Sequence, residues 1–478
     1  MEFVKIHDYL WEIPRHGAML VPGRVYASAR MMEELRDDPA LTQVANVACL
    51  PGIVGYSLAM PDIHWGYGFP IGGVAAMDAH SGVISPGGVG YDINCGVRLI
   101  RTNLQYGEIA GKVDRLADAL FQAIPAGVGS HGAIPGLSVD ELRQLVVEGA
   151  RWALRNGYAA AEDLDHTEEG GCLAGAQPER VSEFAFNRGR KQIGTLGSGN
   201  HFLEVSRVDQ VYDAKAAASL GLEPGQVTVL IHSGSRGLGH QTCDDYLRLI
   251  GQVMAKYEIR LPDRQLAAVP IASPEGQAYL GAMAAAANFA WCNRQVMMHL
   301  TRQAFMEALE VSQRDLGFSL IYDVCHNIAK FEEHLIDGEK RLVCVHRKGA
   351  TRAFGPGHPA LPQALRPIGQ PVLIPGDMGR YSFVLIGREA AMRETFGSSC
   401  HGAGRVMSRA QAKREARGRD LYSELAALGV TVRAQSRAGV AEEMPQAYKD
   451  VADVVDVMEA AGVTQRVAKL RPFAVIKG

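Results

Sequence analysis

Val227-Thr-Val-Leu-Ile231 is a run of β-branched and aliphatic residues that ends directly before His232. Phe318-Ser-Leu-Ile-Tyr-Asp-Val324 has the same character and ends two residues before His326, in Ile321-Tyr-Asp-Val-Cys-His326. Such runs are typical of buried β-strands, and polar side chains at strand ends can face a cleft. The two stretches therefore predict strands that carry histidines to the wall of a cleft.

Strand-like and helix-like segments are mixed along the whole chain, without repeats or a convincing domain break. Because the motif-bearing turns extend from Asp62 to Lys477, they can build one site only if the chain folds as one unit. We therefore predict a mixed α/β (α+β) fold, with a single compact catalytic domain over residues 1–478 and a central cleft. Further strands are predicted at 371–374 and 383–386, and helices at 138–157 (opened by a Ser138/Glu141 capping box), 241–257, 275–310, 408–428 and 444–461.

Composition limits the class of protein. A chain of 478 residues with 47% hydrophobic residues and a net charge of −3 is typical of a globular protein, not a disordered one. The near-neutral charge means that a nucleic acid must be bound by local basic patches. The N-terminal sequence lacks the features of a signal peptide, no apolar run approaches 18 residues, and the eight cysteines form no CxxC pair. We therefore expect a cytoplasmic protein with no membrane partner.

A set of ligand-type side chains lies in short glycine-rich motifs. Asp92 and Cys95 belong to Asp92-Ile-Asn-Cys95-Gly, and His201 follows Gly197-Ser-Gly-Asn. Thiolate, imidazole and carboxylate together are ligands for zinc or manganese-type ions. A buried structural cysteine beside a turn aspartate is the alternative, and the three histidines 201, 232 and 326 make it the weaker one.

His401 has different surroundings, because small residues flank it in Ser398-Ser-Cys-His401-Gly-Ala-Gly and no long apolar run precedes it. A neutral imidazole can attack phosphorus, and Arg405 could neutralise phosphate charge nearby. From the local sequence, a further metal ligand or a helix-capping histidine is about as plausible.

Two other patterns favour a site for phosphate chemistry. Asp62 and His64 lie two residues apart, so their side chains share a face if the segment is extended. They could then act in acid/base chemistry or support a metal ligand. A turn with structural aromatic residues is the equally plausible alternative. Short basic segments adjoin four histidine motifs, which suggests a phosphate-lined cleft, although charge runs are usually solvated faces. The glycine-rich stretches match neither a P-loop nor a dinucleotide fingerprint.

The chain resembles the RtcB family of RNA ligases nearly from end to end, because it carries long motifs of that family in one order. The resemblance rests on Met60-Pro-Asp-Ile-His-Trp-Gly-Tyr-Gly-Phe, Gly90-Tyr-Asp-Ile-Asn-Cys-Gly-Val-Arg, Gly194-Thr-Leu-Gly-Ser-Gly-Asn-His-Phe-Leu-Glu, His232-Ser-Gly-Ser-Arg-Gly-Leu-Gly-His, Tyr322-Asp-Val-Cys-His-Asn-Ile-Ala-Lys, His346-Arg-Lys-Gly-Ala-Thr-Arg, Cys400-His-Gly-Ala-Gly-Arg and Val475-Ile-Lys-Gly. It implies an enzyme that joins an RNA 3′-phosphate or 2′,3′-cyclic phosphate to a 5′-hydroxyl, in tRNA splicing or RNA repair.

The resemblance also implies cofactors and roles. Cys95 would be shared between two Mn²⁺ ions, with Asp92, His201, His232 and His326 as the other ligands. His401 would be the catalytic nucleophile that takes GMP from GTP. Nucleotide contacts are expected from Asn200, Glu204, Asn327, Asp377, Ser382, His401, Tyr448 and Lys477, and phosphate or RNA contacts from Arg188, Lys191, Arg236, Lys348 and Arg405.

One departure and several alternatives remain open at this stage. Asp377 occupies a position where many members of the family have serine, in a loop expected near the nucleotide. A paralogue that repairs another broken RNA, such as ribosomal RNA, and a non-catalytic metal-bound RNA-binding protein are the competing functions. The partners that the resemblance implies are cleaved RNA, such as tRNA halves, and archease as an activating protein.

Overall fold

β-Strands rich in aliphatic residues form the framework of the computed structural model, which describes residues Met1–Gly478. The strands are β1 (Val4–His7), β2 (Leu10–Ile13), β3 (Gly23–Tyr26), β4 (Ile53–His64), β5 (Ile71–Asp78), β6 (Val83–Ile84), β7 (Gly96–Gln105), β8 (Phe202–Val211), β9 (Gln226–Ser233), β10 (Val269–Pro270), β11 (Ser319–Cys325), β12 (Asn327–Ile336), β13 (Glu339–Lys348), β14 (Ala350–Arg352), β15 (Pro371–Ile374), β16 (Ser382–Gly387), β17 (Ser398–Cys400), β18 (Thr431–Ala434) and β19 (Thr464–Lys477).

The strands form two large, mostly antiparallel sheets. One has seven strands in the order β1-β2-β3-β4-β5-β13-β12, and β3–β4 is its parallel pair. The other has eight strands, in the order β11-β7-β9-β8-β19-β16-β15 with β18 alongside β19. Its two end strands approach each other, since Gln370 Nε2 lies 3.4 Å from the Tyr322 hydroxyl, so this sheet nearly closes into a barrel. Two ribbons, β6–β10 and β14–β17, complete the pairing.

Helices pack against both sheets, and the longest helix is largely buried. The helices are α1 (Ala29–Leu35), α2 (Pro39–Val47), α3 (Tyr106–Ile109), α4 (Val113–Ala123), α5 (Val139–Glu148), α6 (Ala150–Arg155), α7 (Ala161–Asp165), α8 (Glu183–Gly189), α9 (Ala214–Leu220), α10 (Arg236–Val253), α11 (Pro274–Leu309), α12 (Gln313–Leu316), α13 (Glu389–Glu394), α14 (Arg409–Glu415), α15 (Leu421–Ala427), α16 (Arg437–Glu442) and α17 (Val451–Ala460).

The apolar interior is shared between the sheets and the helices. One buried cluster joins Met77 of β5 to Trp291 of α11, and another joins Val74 of β5 to Val372 of β15. This confirms the predicted mixed α/β fold as a single compact domain. The helices include none that is both long and apolar enough to cross a membrane.

Several predicted elements are confirmed. The four predicted strands correspond to β9, β11, β15 and β16, and the 36-residue α11 corresponds to the predicted helix 275–310. The capping box at Ser138 is present, with the hydroxyl accepting from Glu141 N and the Glu141 carboxylate accepting from Ser138 N. The prediction of one helix to residue 157 is wrong, because Gly149 adopts φ +60° and a Cβ there would lie 2.2 Å from Gly171 O.

Three other predicted helices have different bounds. The predicted helix 408–428 is two helices, α14 and α15, because Gly418 adopts φ +79° and Asp420 caps the second one. The predicted helix 444–461 begins at Val451, after the cap Asp450, which leaves Tyr448 in extended backbone that pairs with Arg405. The predicted helix 241–257 begins earlier, at Arg236, and ends at Val253.

Candidate active site

Four ligand-type side chains lie at one edge of the barrel-like sheet. Cys95 precedes β7 and His201 precedes β8, whereas His232 lies at the end of β9 and His326 follows β11. These strands are antiparallel neighbours, so the start of one lies beside the end of the next: Val97 and Phe202 both pair with His232, and Gly96 pairs with Cys325. The topology thereby brings together residues that are far apart in the chain.

The ligand atoms of these residues are close to one another. Cys95 Sγ lies 3.2 Å from His201 Nε2 and 3.3 Å from His232 Nε2, and His232 Nε2 lies 3.3 Å from His326 Nε2. Asp92 Oδ2 is 2.7 Å from His201 Nε2. Two triads result, Cys95/His232/His326 and Asp92/Cys95/His201, each with its ligand atoms within 4.8 Å of one another. Cys95 belongs to both triads, as a shared ligand would.

Burial and protonation of these residues fit a metal centre. Burial lowers the pKa of His232 and His326 well below the usual range, so both imidazoles are neutral donors. Burial, together with Asp92, raises the pKa of Cys95, so a cation is needed to keep the thiolate. Sulfur, nitrogen and oxygen donors in one cluster suit a transition-metal ion.

Hydrogen bonds from outside the triads hold the ligands. His201 Nδ1 lies 3.1 Å from Leu196 O, which leaves Nε2 for the cluster, and Asp92 Oδ1 accepts from Ser235 N at 3.0 Å. Burial opposes ionisation of Asp92, but His201 lowers its pKa to about 2.

Arg294 of α11, which the sequence did not predict as a site residue, bonds to the segments that carry Cys95 and His232. It is fully buried, donates to Asn94 O and Ser233 O at 2.8 and 2.9 Å, and pairs with Asp323. No sequence signal could have identified it, because the surrounding helix is a long alanine- and methionine-rich core segment.

His401 lies next to the triads and is held by Asp62. Its ring centroid is 4.8 Å from that of His326, and its Nδ1 lies 2.6 Å from Asp62 Oδ2. The same oxygen accepts from His401 N at 2.9 Å and Gly402 N at 3.3 Å. Burial opposes ionisation of Asp62, but His401 keeps its pKa below the usual value. The carboxylate thus fixes the Nδ1–H tautomer and leaves Nε2 without a protein partner.

Glu204 and Lys477 face the same region from adjacent strands. Lys477 ends β19 and pairs with Phe202, while Glu204 lies two residues further along β8. Burial raises the pKa of Glu204 to about 7, against hydrogen bonds from Ser206 (2.6 Å) and Ser382 (3.2 Å). Burial also lowers the pKa of Lys477 to about 8.

Glu443, a second residue that the sequence did not predict, binds both Arg405 and Tyr448. It accepts a hydrogen bond from the Tyr448 hydroxyl and lies 3.1 Å from Arg405 Nη1. Arg405 also donates to Tyr448 Oη, Met407 O and Glu442 O, so each of its nitrogens is already engaged within the protein.

Asp377, the departure noted in the sequence, is bonded within its own loop. Its Oδ1 accepts from Gly379 N and Arg380 N at 3.0 and 3.1 Å, and its other oxygen pairs with Arg380. Arg380 also donates to Tyr448 O at 3.1 Å. Burial raises the pKa of Asp377. The aspartate therefore links its loop, through Arg380, to the segment that carries Tyr448.

These groups surround one cavity of about 880 Å³. Two of the predicted site residues do not line the cavity. Ser382 donates a hydrogen bond to Glu204, which does line it, and Lys191 is exposed elsewhere on the surface. The cavity is lined by the predicted residues Asp92, Cys95, Arg188, Asn200, His201, Glu204, His232, Arg236, His326, Asn327, Lys348, Asp377, His401, Arg405, Tyr448 and Lys477.

Comparison with known proteins identifies the family. Residues 43–478 match the family model described as tRNA-splicing ligase RtcB. The chain belongs to the RtcB family. It is 57% identical over 476 residues to the tRNA-splicing ligase RtcB of Archaeoglobus fulgidus, and 55% identical over 475 residues to that of Thermococcus kodakarensis. Each alignment covers 99% of this chain and 98% of the relative.

Proposed function

We propose that the chain is a GTP- and manganese-dependent ligase that joins an RNA 3′-phosphate or 2′,3′-cyclic phosphate to a 5′-hydroxyl. The observation that carries this proposal is the pairing of His401 with buried Asp62 beside two ligand triads in one cavity. A binding protein would not need an imidazole with one nitrogen fixed and the other free. That geometry favours the ligase over a non-catalytic RNA-binding protein.

The proposed reaction begins at His401. Its Nε2 attacks the α-phosphorus of GTP, a P–N bond forms, and pyrophosphate leaves. The RNA 3′-phosphate then takes the GMP, which creates a pyrophosphate linkage and frees the imidazole. Finally, the 5′-hydroxyl attacks the RNA phosphorus and GMP departs. A cyclic phosphate enters this sequence after water has opened it.

In this proposal, residues of the chain orient the nucleophile and bind the metal ions. Asp62 keeps the proton of His401 on Nδ1 and stabilises the ring when it acquires charge. Two Mn²⁺ ions held by Asp92, Cys95, His201, His232 and His326 would supply charge neutralisation at the phosphoryl oxygens.

Guanine recognition is assigned to Glu204, whose ionised carboxylate would accept from N1–H and the exocyclic amine. Adenine offers no such pair of donors, so it would leave the buried carboxylate unpaired. The remaining nucleotide contacts are proposed for Asn200, Asn327, Ser382, Tyr448 and Lys477, with Asp377 acting through Arg380 on the position of Tyr448.

RNA phosphates are assigned to basic groups at the cavity: Arg188, Arg236, Lys348 and Arg405, with Lys191 contacting the backbone further out. We propose that residues 1–478 act as one catalytic unit. tRNA halves are the proposed substrate, in keeping with the names of the relatives, and archease is a proposed activator.

A ligation assay tests the proposal. One RNA oligonucleotide with a 3′-phosphate and a second with a 5′-hydroxyl are incubated with the protein, MnCl₂ and GTP, and the joined product is resolved by electrophoresis. We expect a product that requires GTP and disappears in His401→Ala but not in His16→Ala, an exposed histidine outside the cavity. Joining without GTP, or by His401→Ala, would contradict the proposal.

A further inference from the structure

Trp65 is exposed at the cavity, in contrast to the other indoles. Its side chain is 58% exposed and lines the cavity, whereas Trp152 and Trp291 are buried and Trp11 donates its N–H to Ala27 O. We propose that Trp65 is a stacking platform for an unpaired nucleobase next to the RNA end that is joined. This inference rests on the proposed RNA ligase function and names a recognition residue for its substrate.

The backbone around Trp65 is held rigidly. The buried amide of Gln43 binds both backbone groups of Gly66, donating to its oxygen at 2.6 Å and accepting from its nitrogen at 3.1 Å. Lys348 Nζ donates to Tyr67 O at 2.5 Å, and Gly68 N donates to the Gln265 side chain at 3.0 Å. Because this backbone is fixed before a ligand arrives, binding restricts only the side-chain rotamers of the indole.

Core packing does not explain the residue. Ile63 and Phe69, on either side, are fully buried and supply the apolar contacts of this segment. Trp65 Nε1 has no hydrogen-bond partner, and the large exposed apolar face is unfavourable unless it is covered. A flat aromatic ligand covers an indole better than a hydrated phosphate does, and stacking on aromatic side chains accepts any base.

The position of Trp65 relates it to the reacting atoms. Asp62, three residues earlier and near the end of β4, is bonded to His401. A chain advances at most about 3.5 Å per residue, so the Cα atoms of Trp65 and Asp62 lie within roughly 11 Å. A base on Trp65 therefore belongs to a nucleotide close to the reacting end.

The test is a fluorescence titration of the 478-residue chain with Mn²⁺ and without GTP. The probes are two single-stranded RNA oligonucleotides, one with a 3′-phosphate and one with a 5′-hydroxyl, and versions of each with an abasic terminal nucleotide. We expect one of the two intact probes to quench Trp65 emission and to bind Trp65→Ala about fivefold to 150-fold more weakly than the wild type. The probe affected identifies the end that stacks.

Three controls make the result specific. Trp65→Phe should retain most of the affinity but lose the quenching, whereas Trp11→Phe should retain both. The abasic version of the affected probe should bind the wild type and Trp65→Ala alike. Melting temperatures of the variants, followed by circular dichroism, report whether the fold is intact.

Equal binding of both intact probes by folded Trp65→Ala and by the wild type would overturn the inference. That outcome leaves the proposed ligase intact if the wild type still joins RNA. Absence of RNA binding by the wild type itself would overturn both.

Discussion

Replacing Asp62 by asparagine is expected to slow transfer of GMP to His401 without unfolding the protein. The carboxylate is fully buried and its Oδ2 accepts three hydrogen bonds, from His401 Nδ1, His401 N and Gly402 N. Asparagine has nearly the same shape and can keep the two backbone bonds, but it carries no charge. The change therefore acts mainly on the imidazole.

The magnitude follows from the bond that is weakened. A hydrogen bond to a charged group contributes about 1.5–3 kcal/mol, so its loss corresponds to a rate roughly 10- to 150-fold lower. The reduction is greater if the amide N–H of the asparagine faces Nδ1. In that case the imidazole takes the other tautomer, and Nε2 carries the proton in place of the lone pair.

The assay is the rate at which ³²P from α-labelled GTP becomes attached to the protein at saturating GTP and MnCl₂. Asp38→Asn is the matched control, because Asp38 also lines the cavity and asparagine caps the following helix equally well. We expect the control to react at the wild-type rate. A wild-type rate in folded Asp62→Asn would refute the assigned role of the carboxylate.

Three further predictions concern the nucleotide and the metal ions. The affinity of the wild type for GTP should rise between pH 6 and pH 8, because Glu204, with its pKa of about 7, ionises in that range. GTP should also be preferred over ATP by roughly 10- to 100-fold. Glu204→Gln, titrated by calorimetry, should lose both effects, and an unchanged pH profile in this variant would argue against the role of Glu204. Cys95→Ala should lose tight Mn²⁺ binding at both positions whereas His326→Ala should keep one ion, as counted by native mass spectrometry, and two tightly bound ions in Cys95→Ala would contradict a shared thiolate. Metal-free protein should regain GMP transfer with Mn²⁺ but little with Mg²⁺, which prefers oxygen ligands, and full recovery with Mg²⁺ would exclude the proposed ligand set.

The sequence could predict those parts of the site that lie in local patterns. His232 and His326 end apolar strands, so both the strands and their position at a cleft were predictable. The partners within the cluster were not, because their proximity depends on antiparallel register between strands that are distant in the chain, such as Phe202 with His232. The role of Asp62 remained open for the same reason, since 339 residues separate it from His401.

The predicted helix bounds were wrong where a single glycine or a capping residue ends a helix within an apolar pattern that continues. Gly149 and Gly418 both have positive φ and interrupt segments that read as continuous helices. Glu443 and Arg294 carried no sequence signal, because their functions come from tertiary contacts with Tyr448 and Asp323. The position of Asp377 was predicted, but its bond to Arg380 was visible only in three dimensions.

The central claim, that His401 is the nucleophile, is tested most directly by locating the GMP adduct. The protein is incubated with GTP and MnCl₂ and digested at alkaline pH, because a phosphoramidate is stable in base and labile in acid, and the modified peptide is sequenced by mass spectrometry. The account predicts one GMP on the imidazole of His401, lost on acid treatment and absent from folded His401→Ala. GMP on another residue, or an adduct that persists in His401→Ala, would contradict it.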